Sequence, residues 1–273
     1  MIVDEDRIGW SRDSEEFRTN SQRLAQFAES LGDTNPDHRA GRIASPVFHH
    51  VPVMQSLVEV LRTVSDGFLI HGEQDFIYHR PIVPGQRLFS RSTLVGIRNS
   101  GAGALFLVRS ETRTHDGQPV STQRATCLVQ GHNLPRDLGE AHPAKPAFAR
   151  SGTREAVTFP IDERQTWRYA EAARDYSPYT LDSAAARALG LRAAIVHGMC
   201  TLALIARAVV DGACAGDTRR MKRLGCRFSH PLYVEPGQQL RAELWPGPTT
   251  VAFEAKDRSG NLVVKNGYAE VGS

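Results

Sequence analysis

Phe27-Ala28-Glu29-Ser30-Leu31-Gly32-Asp33-Thr34-Asn35-Pro36-Asp37-His38 gathers an acid, an imidazole and turn-forming residues in one short stretch, and the chain contains it twice. From Tyr169 the sequence reads Tyr-Ala-Glu-Ala-Ala-Arg-Asp175-Tyr-Ser-Pro178-Tyr-Thr180, repeating the aromatic residue, Ala-Glu, Asp and Pro at a constant spacing of 142 positions. One residue fails to recur: His38 becomes Thr180. A second match, Phe76…Pro84-Gly85-Gln86-Arg87-Leu88 against Phe228…Pro236-Gly237-Gln238-Gln239-Leu240, runs at a spacing of 152. The second half therefore holds extra residues between motif and strands, at least partly in a segment from Asp182 to Gly190. Two copies of about one domain's length mean duplication, not a solenoid.

Each copy carries the same order of elements. Ser21 can cap a helix whose Leu24, Phe27 and Ala28 share a face, and Gly32 is placed to end it. The Asp-Thr-Asn-Pro run that follows has turn chemistry, since Asp and Asn bond nearby backbone and Pro cannot continue a helix. Met54, Leu57, Val58 and Leu61 predict a helix over Val53 to Val64. Strands are expected over Gly67 to Tyr78, Arg87 to Ile97, Ala104 to Thr114 and Pro119 to Gln130, with turns at Asn99-Ser100-Gly101 and Asp116-Gly117.

In the second copy, Asp162 is placed to cap the helix that carries Tyr169, and Asp182 or Ser183 a further short one. His197-Gly198-Met199 opens a segment through Val210 that is apolar nearly all round, which calls for a helix buried on almost every side. Strands then follow over Lys222 to Ser229, Gln239 to Trp245, Thr249 to Ala255 and Leu262 to Val271. Residues 132–152, with Pro135, Pro143 and Pro146 and no periodicity, read as a linker between a first repeat over 1–131 and a second over 153–273.

The chain has 273 residues, 41% of them hydrophobic, enough to build substantial cores. With 33 Lys+Arg against 30 Asp+Glu and no basic run interleaved with aromatics, nothing points to nucleic acid. The first residues have neither a basic nor an apolar leader segment, and no run reaches the ~18 apolar residues of a membrane span, so a cytoplasmic location is expected. Cys127, Cys200, Cys214 and Cys226 lie in apolar segments without Cys-x-x-Cys spacing, which fits reduced core thiols. His49, His50 and His79 form no metal-ligand spacing, so no metal is expected.

Gly32-Asp33-Thr34-Asn35-Pro36-Asp37-His38, followed by Ala44, resembles the (R)-specific enoyl-CoA hydratase motif of the MaoC-like dehydratases. The second half is similar to the same family through Tyr169-Ala170-Glu171-Ala172, Asp175, Pro178, Asp182 and Ile195-Val196-His197-Gly198-Met199. Composition alone stops at a duplicated α+β protein. The resemblance implies a double hotdog, two tandem repeats in each of which a curved antiparallel sheet wraps a central helix.

It also implies a reaction, the hydration of a 2-enoyl thioester or its reverse, on CoA or an acyl carrier protein and with no metal or redox cofactor. That chemistry needs a base for water, an acid for the α-carbon, and donors for the thioester oxygen. By the resemblance the first two tasks fall to Asp33 and His38, with Asn35 in support, and the third to a backbone amide at a helix start, at Gly198. The first half reads His49-His50 there, so His50 stands in the glycine's place, as an amide donor or as a wall of the pocket. Asp175 and Thr180 form a degenerate second motif, because a hydroxyl cannot replace imidazole as acid or base near neutral pH.

The plainer reading of Asp33, Asn35 and Pro36 is a helix-ending turn, and that of His197 a helix cap or packing group. Arg80, Arg87, Arg219, Arg220 and Lys222 are either solvated strand-edge charges or contacts for a carrier phosphate. Two other functions fit the same residues: a hotdog thioesterase, and a non-catalytic subunit that binds acyl thioesters or a partner. Two hotdogs in one chain already supply the pairing that single-hotdog proteins gain by dimerising, and a homodimer is compatible with that.

Overall fold

Turns chosen by Gly and Asp decide where this chain reverses. At Asp116-Gly117 the backbone takes φ +82° at Gly117, and Thr114 N–H closes the turn on Gln118 O at 2.9 Å. In the computed structural model, residues 5–64, 68–131, 133–141, 143–146, 150 and 152–272 are described.

The first half runs β1 (Ser11–Asp13), β2 (Phe17–Arg18), α1 (Ser21–Ser30), α2 (Pro36–Arg39), a 3-10 run (Pro46–Val53) and α3 (Met54–Val64). It continues with β3 (Ile70–Tyr78), β4 (Arg87–Ser100), β5 (Gly103–Thr114), β6 (Pro119–Gln130) and β7 (Leu138–Gly139). The second half has β8 (Glu155–Ile161), α4 (Gln165–Ala173), α5 (Pro178–Leu181), α6 (Ser183–Ala188) and α7 (Gly198–Asp211). A 3-10 turn (Thr218–Arg220) leads into β9 (Met221–Phe228), β10 (Gln238–Pro246), β11 (Thr250–Lys256) and β12 (Leu262–Val271).

The strands form one antiparallel sheet in the order β1-β4-β5-β6-β3-β9-β12-β11-β10-β8, with β2 and β7 also on β4. The repeats join along β3 and β9, where Glu73 faces Arg227, Gln74 faces Cys226 and Ile77 faces Arg223. These two strands carry the matched Phe76 and Phe228, so equivalent strands of the two copies lie side by side.

A large core belongs to both halves: Phe27 and Phe48 meet edge-on at 5.3 Å, Phe27 and Tyr169 at 5.7 Å, and α7 is buried among them. α3 instead covers a smaller core under β4, β5 and β6. It turns Leu57, Val60 and Leu61 inward, while Met54 and Val58 of the expected stripe stay half-buried. The inward face includes Ser56, fully buried, because its hydroxyl bonds Val53 O at 3.0 Å and meets Ser92 Oγ at 2.8 Å. A count of apolar residues does not register such a position.

Two caps also differ from expectation. Asn20, not Ser21, caps α1 by accepting Arg23 N–H at 2.8 Å. Asp162 lies two residues before the cap position of α4 and accepts Arg164 N–H at 2.8 Å, whereas Asp182 caps α6 at Ala184 N–H as expected. The extra residues of the second half include α6. The start of the Gly67 strand and residues 132, 142, 147–149 and 151 of the linker lie outside the described residues. The described linker lies along the first half, with β7 on Gly96 and Ile97 and Lys145 2.5 Å from Glu73. All four cysteines are buried and unpaired. No described helix is long and apolar enough to cross a membrane.

Candidate active site

α1 ends as its sequence dictates: Gly32 takes φ +60°, and Asp33 N–H turns back to Ala28 O at 2.9 Å. The Asp33 carboxylate then accepts Asn35 N–H at 2.9 Å, and Asn35 Oδ1 caps α2 by accepting Asp37 N–H at 2.9 Å and His38 N–H at 3.3 Å. Pro36 fits the first helical turn, where its missing N–H leaves nothing unpaired. This single turn folds His38 back over Asp33, so that Nδ1 lies 2.7 Å from Oδ2. The pair is sealed from solvent, Asp33 3% and His38 1% exposed.

The second half closes this loop. Asn35 Nδ2 donates to Gly216 O at 2.8 Å, and the Arg207 guanidinium of α7 donates to Gly32 O at 2.7 Å. His38 Nε2 meets Thr218 Oγ1 at 2.5 Å. An ionised carboxylate only accepts, so Nδ1 donates to Asp33, and a neutral His38 offers its Nε2 lone pair to the Thr218 hydroxyl.

Thr218 also lines a cavity of about 190 Å³. Buried Ala44, Pro46, His49 and Met221 form its floor with half-buried Tyr78, and exposed His79, Arg80, Arg219 and Lys222 form its rim. The Asp33–His38 pair thus communicates with open space through a hydroxyl from the other repeat. A second depression beside Glu73, Asp75 and Arg124 encloses only about 10 Å³, room for one water at most.

The second motif has the same backbone and different wiring. Arg174 takes φ 57° where Gly32 takes φ +60°, and Asp175 N–H again turns back to the carbonyl five residues earlier, Ala170 O at 3.2 Å. Its carboxylate, however, accepts the Ser177 hydroxyl at 2.6 Å. Thr180 Oγ1 donates to Ser177 O at 2.7 Å and stands 2.9 Å from His197 Nε2, which is also 3.0 Å from Asp175 O. The imidazole here touches the Asp175 main chain and not its carboxylate, and burial holds its pKa below the ordinary value.

Two expected supports fall on this second side. His50 does not border the Thr218 cavity: its Nδ1 lies 3.3 Å from Gln123 Oε1 and its ring 6.3 Å from that of His71. His71 in turn packs on Phe228, against which a side chain at Gly198 would press at 3.3 Å. Gly198 begins α7, and it is Arg207 that meets Gly32. Nine residues of helix put Gly198 about 14 Å from that contact along the axis, so its amide cannot serve Asp33 and His38. His197 sits at the cap position of α7 without a side-chain capping bond and packs on Tyr169 at 5.0 Å.

Thr218, Tyr78 and Gly216 come from other elements and carry no motif, so the sequence alone does not single them out. Of the basic residues considered for a carrier phosphate, Arg80, Arg219 and Lys222 meet at the rim. Arg87 pairs with Glu16 and Arg220 bonds Gly272 O. Among the described residues no three His, Cys, Asp or Glu side chains are placed to hold a metal ion.

Comparison with known proteins bears on both halves. Residues 148–266 match the MaoC like domain, and residues 6–123 match the FAS1-like dehydratase domain region. Half by half, the chain is similar to the MaoC-like dehydratases. Among its curated relatives are a probable enoyl-CoA hydratase 2 of Dictyostelium discoideum, 25% identical, and a peroxisomal enoyl-CoA hydratase 2 of Arabidopsis thaliana, 24% identical. Each alignment covers 93% of this chain and 91% of the relative. The crystal structure of a MaoC-like dehydratase from Phytophthora capsici superposes with a TM-score of 0.84, at 23% identity over 98% of both chains. The fold is the double hotdog of that family.

Proposed function

We propose that this MaoC-like protein is a hydro-lyase acting on acyl thioesters, hydrating a 2-enoyl thioester reversibly or dehydrating the 3-hydroxyacyl thioester, through Asp33 and His38. The buried 2.7 Å contact between them carries the reading, because the first repeat alone pairs a carboxylate with an imidazole. The hydratase names of relatives aligned over nearly the whole chain support it.

Asp33 fixes the His38 tautomer and stabilises the imidazolium that forms when Nε2 takes a proton. Water bound at Thr218 gives that proton through the Thr218 hydroxyl, which donates to Nε2 and accepts from the water in one step. The water oxygen bonds to C3 of the enoyl group as the C2–C3 pair moves toward the thioester oxygen, and the imidazolium returns its proton to C2 back through the Thr218 hydroxyl, so one residue balances the proton account. Asn35 holds the loop and its partner segment in register. Every group this route needs is a side chain, and we assign it neither metal nor redox cofactor.

The carrier is anionic, CoA or an acyl carrier protein, and Arg80, Arg219 and Lys222 at the rim suit its phosphates. Arg219 already pairs with Asp217 at 2.8 Å, so its attraction is partly offset. Both motif loops lie within one chain, and a homodimer is compatible with that. We place the protein in the cytoplasm; cell fractionation separates that from the peroxisomal location given in the Arabidopsis relative's name.

The test is loss of enoyl absorbance from a trans-2-enoyl-CoA with recovery of the 3-hydroxyacyl product. Wild-type protein should turn over and the folded His38→Ala protein should not; equal rates sink the proposal. One observation favours a second reading: Thr218, His38 and Asp33 connect as hydroxyl, base and orienting acid, the wiring of acyl transfer. Thiol release from a saturated acyl-CoA would identify such a thioesterase.

A further inference from the structure

Two residues that line the Thr218 cavity carry buried polar atoms with no hydrogen-bond partner among the described residues. His49 Nδ1 and Tyr78 Oη are buried and unbonded, although nearly all buried polar groups in folded proteins are paired. Both side chains line the cavity, with ring centroids 5.0 Å apart and planes at 77°. Neither is loose: Tyr78 stacks on Phe76 at 5.6 Å, and Gln123 Nε2 donates to His49 O at 2.7 Å.

The hydro-lyase reading leaves one requirement unmet on this side of the molecule. When water bonds to C3, the C2–C3 electron pair moves toward C1 and the thioester oxygen becomes an enolate, which needs donors. Gly198 serves the other end of α7, and His50 turns toward Gln123. We propose that His49 and Tyr78 are the oxyanion donors of the first-repeat site, donating Nδ1–H and Oη–H to the thioester oxygen. The inference rests on the hydro-lyase reading and supplies its missing part.

Both groups suit the task electrostatically. Burial, with the charge of nearby His79, lowers the His49 pKa to about 3, so the ring is neutral and gives a proton-bearing nitrogen without a competing charge. Burial raises Tyr78 well above its ordinary value, aided by Asp75, so its hydroxyl keeps its proton. Neutral donors bind a developing negative charge more strongly than a ground-state carbonyl, and their loss therefore falls on kcat more than on KM. When C2 takes its proton the pair returns to form the C2–H bond and the oxygen is again a carbonyl, so no co-reactant is needed.

The test uses the full chain with crotonyl-CoA. Tyr78→Phe and His49→Gln should each lower kcat by roughly 10²-fold with KM within about threefold. Acetoacetyl-CoA gives a readout independent of turnover: wild-type protein should raise its enolate absorbance on binding at fixed pH, and Tyr78→Phe should abolish the rise. Both variants keeping kcat within about threefold of wild type, or Tyr78→Phe keeping the enolate signal, would overturn the inference. If His38→Ala is inactive in the same assays, only this inference has failed; if His38→Ala turns over normally, the hydro-lyase reading has failed.

Discussion

The two motif loops use the same pair of side chains with their places exchanged. In the first, an imidazole on the loop meets a threonine from a distant turn, His38 and Thr218 at 2.5 Å. In the second, a threonine on the loop meets an imidazole from the start of a helix, Thr180 and His197 at 2.9 Å. The carboxylate separates them. Asp33 holds the imidazole, whereas the Asp175 carboxylate is taken by the hydroxyl of Ser177, which stands where the first loop has Asn35. The Asp175 carbonyl only accepts, so His197 carries its proton on Nε2 and offers no base there, and its Nδ1 has no partner among the described residues to stabilise a cation. Duplication has thus kept the backbone of both loops and the proton-transfer wiring of one.

The largest expected effects break that wiring directly. Asp33→Asn and His38→Ala should each lower turnover by roughly 10² to 10⁴-fold, the ordinary range for a positioned acid or base. Steady-state assay of folded protein, with circular dichroism as the control, checks this. If Asp175→Asn fell as far, the comparison would be wrong. Thr218→Val comes next: it keeps the shape and removes the hydroxyl, and should lower kcat by roughly tenfold or more, with Thr218→Ser restoring most of it. A Thr218→Val enzyme with wild-type kcat would show that water reaches His38 by another route.

These residues also mark what was legible in the chain. The repeat, the strands, the α7 helix and the Asp33–His38 pairing could be read because local spacing determines them: a turn closed by Asn35 and Pro36 brings residues five apart into contact. Thr218, Gly216 and Tyr78 could not, since they meet the motif only through the packing of one repeat on the other. His50 was misplaced for a related reason. Alignment set it opposite Gly198 but could not show which way a 3-10 run, with three residues per turn, would point successive side chains. His49 lines the cavity, whereas His50 turns to Gln123 and feels the charge of Asp175 on the second loop.

A smaller effect should sharpen the asymmetry between the two sides. Removing Arg219 and Lys222 should raise KM for acyl-CoA several-fold, leave kcat nearly unchanged, and weaken the salt dependence of KM, because both are exposed rim charges. A truncated thioester lacking the nucleotide should show no change. Equal losses for both substrates would place these residues in folding instead of carrier binding.

The least effect on turnover is expected at the second loop, where Asp175→Asn should stay within about threefold of wild type because no proton is moved there. Its consequence lies in stability against acid. Burial depresses the pKa of His71 to about 4, and lowers those of His50 and His197, while the charge of Asp175 partly offsets this at all three. Above pH ~6.5 these histidines are neutral in both folded and unfolded chains, and their contribution to stability is fully present. Below it the unfolded chain takes up protons that the folded chain refuses, so stability falls by up to about 1.4 kcal/mol per pH unit for each such histidine until its folded pKa is reached. Thermal unfolding between pH 7 and pH 4 should therefore show a falling Tm. Asp175→Asn removes the offset, lowers the folded pKa values further and should deepen the fall, whereas His71→Gln should make it shallower. An acid limb unchanged in both variants would mean that the second loop is not where this protein's acid sensitivity resides.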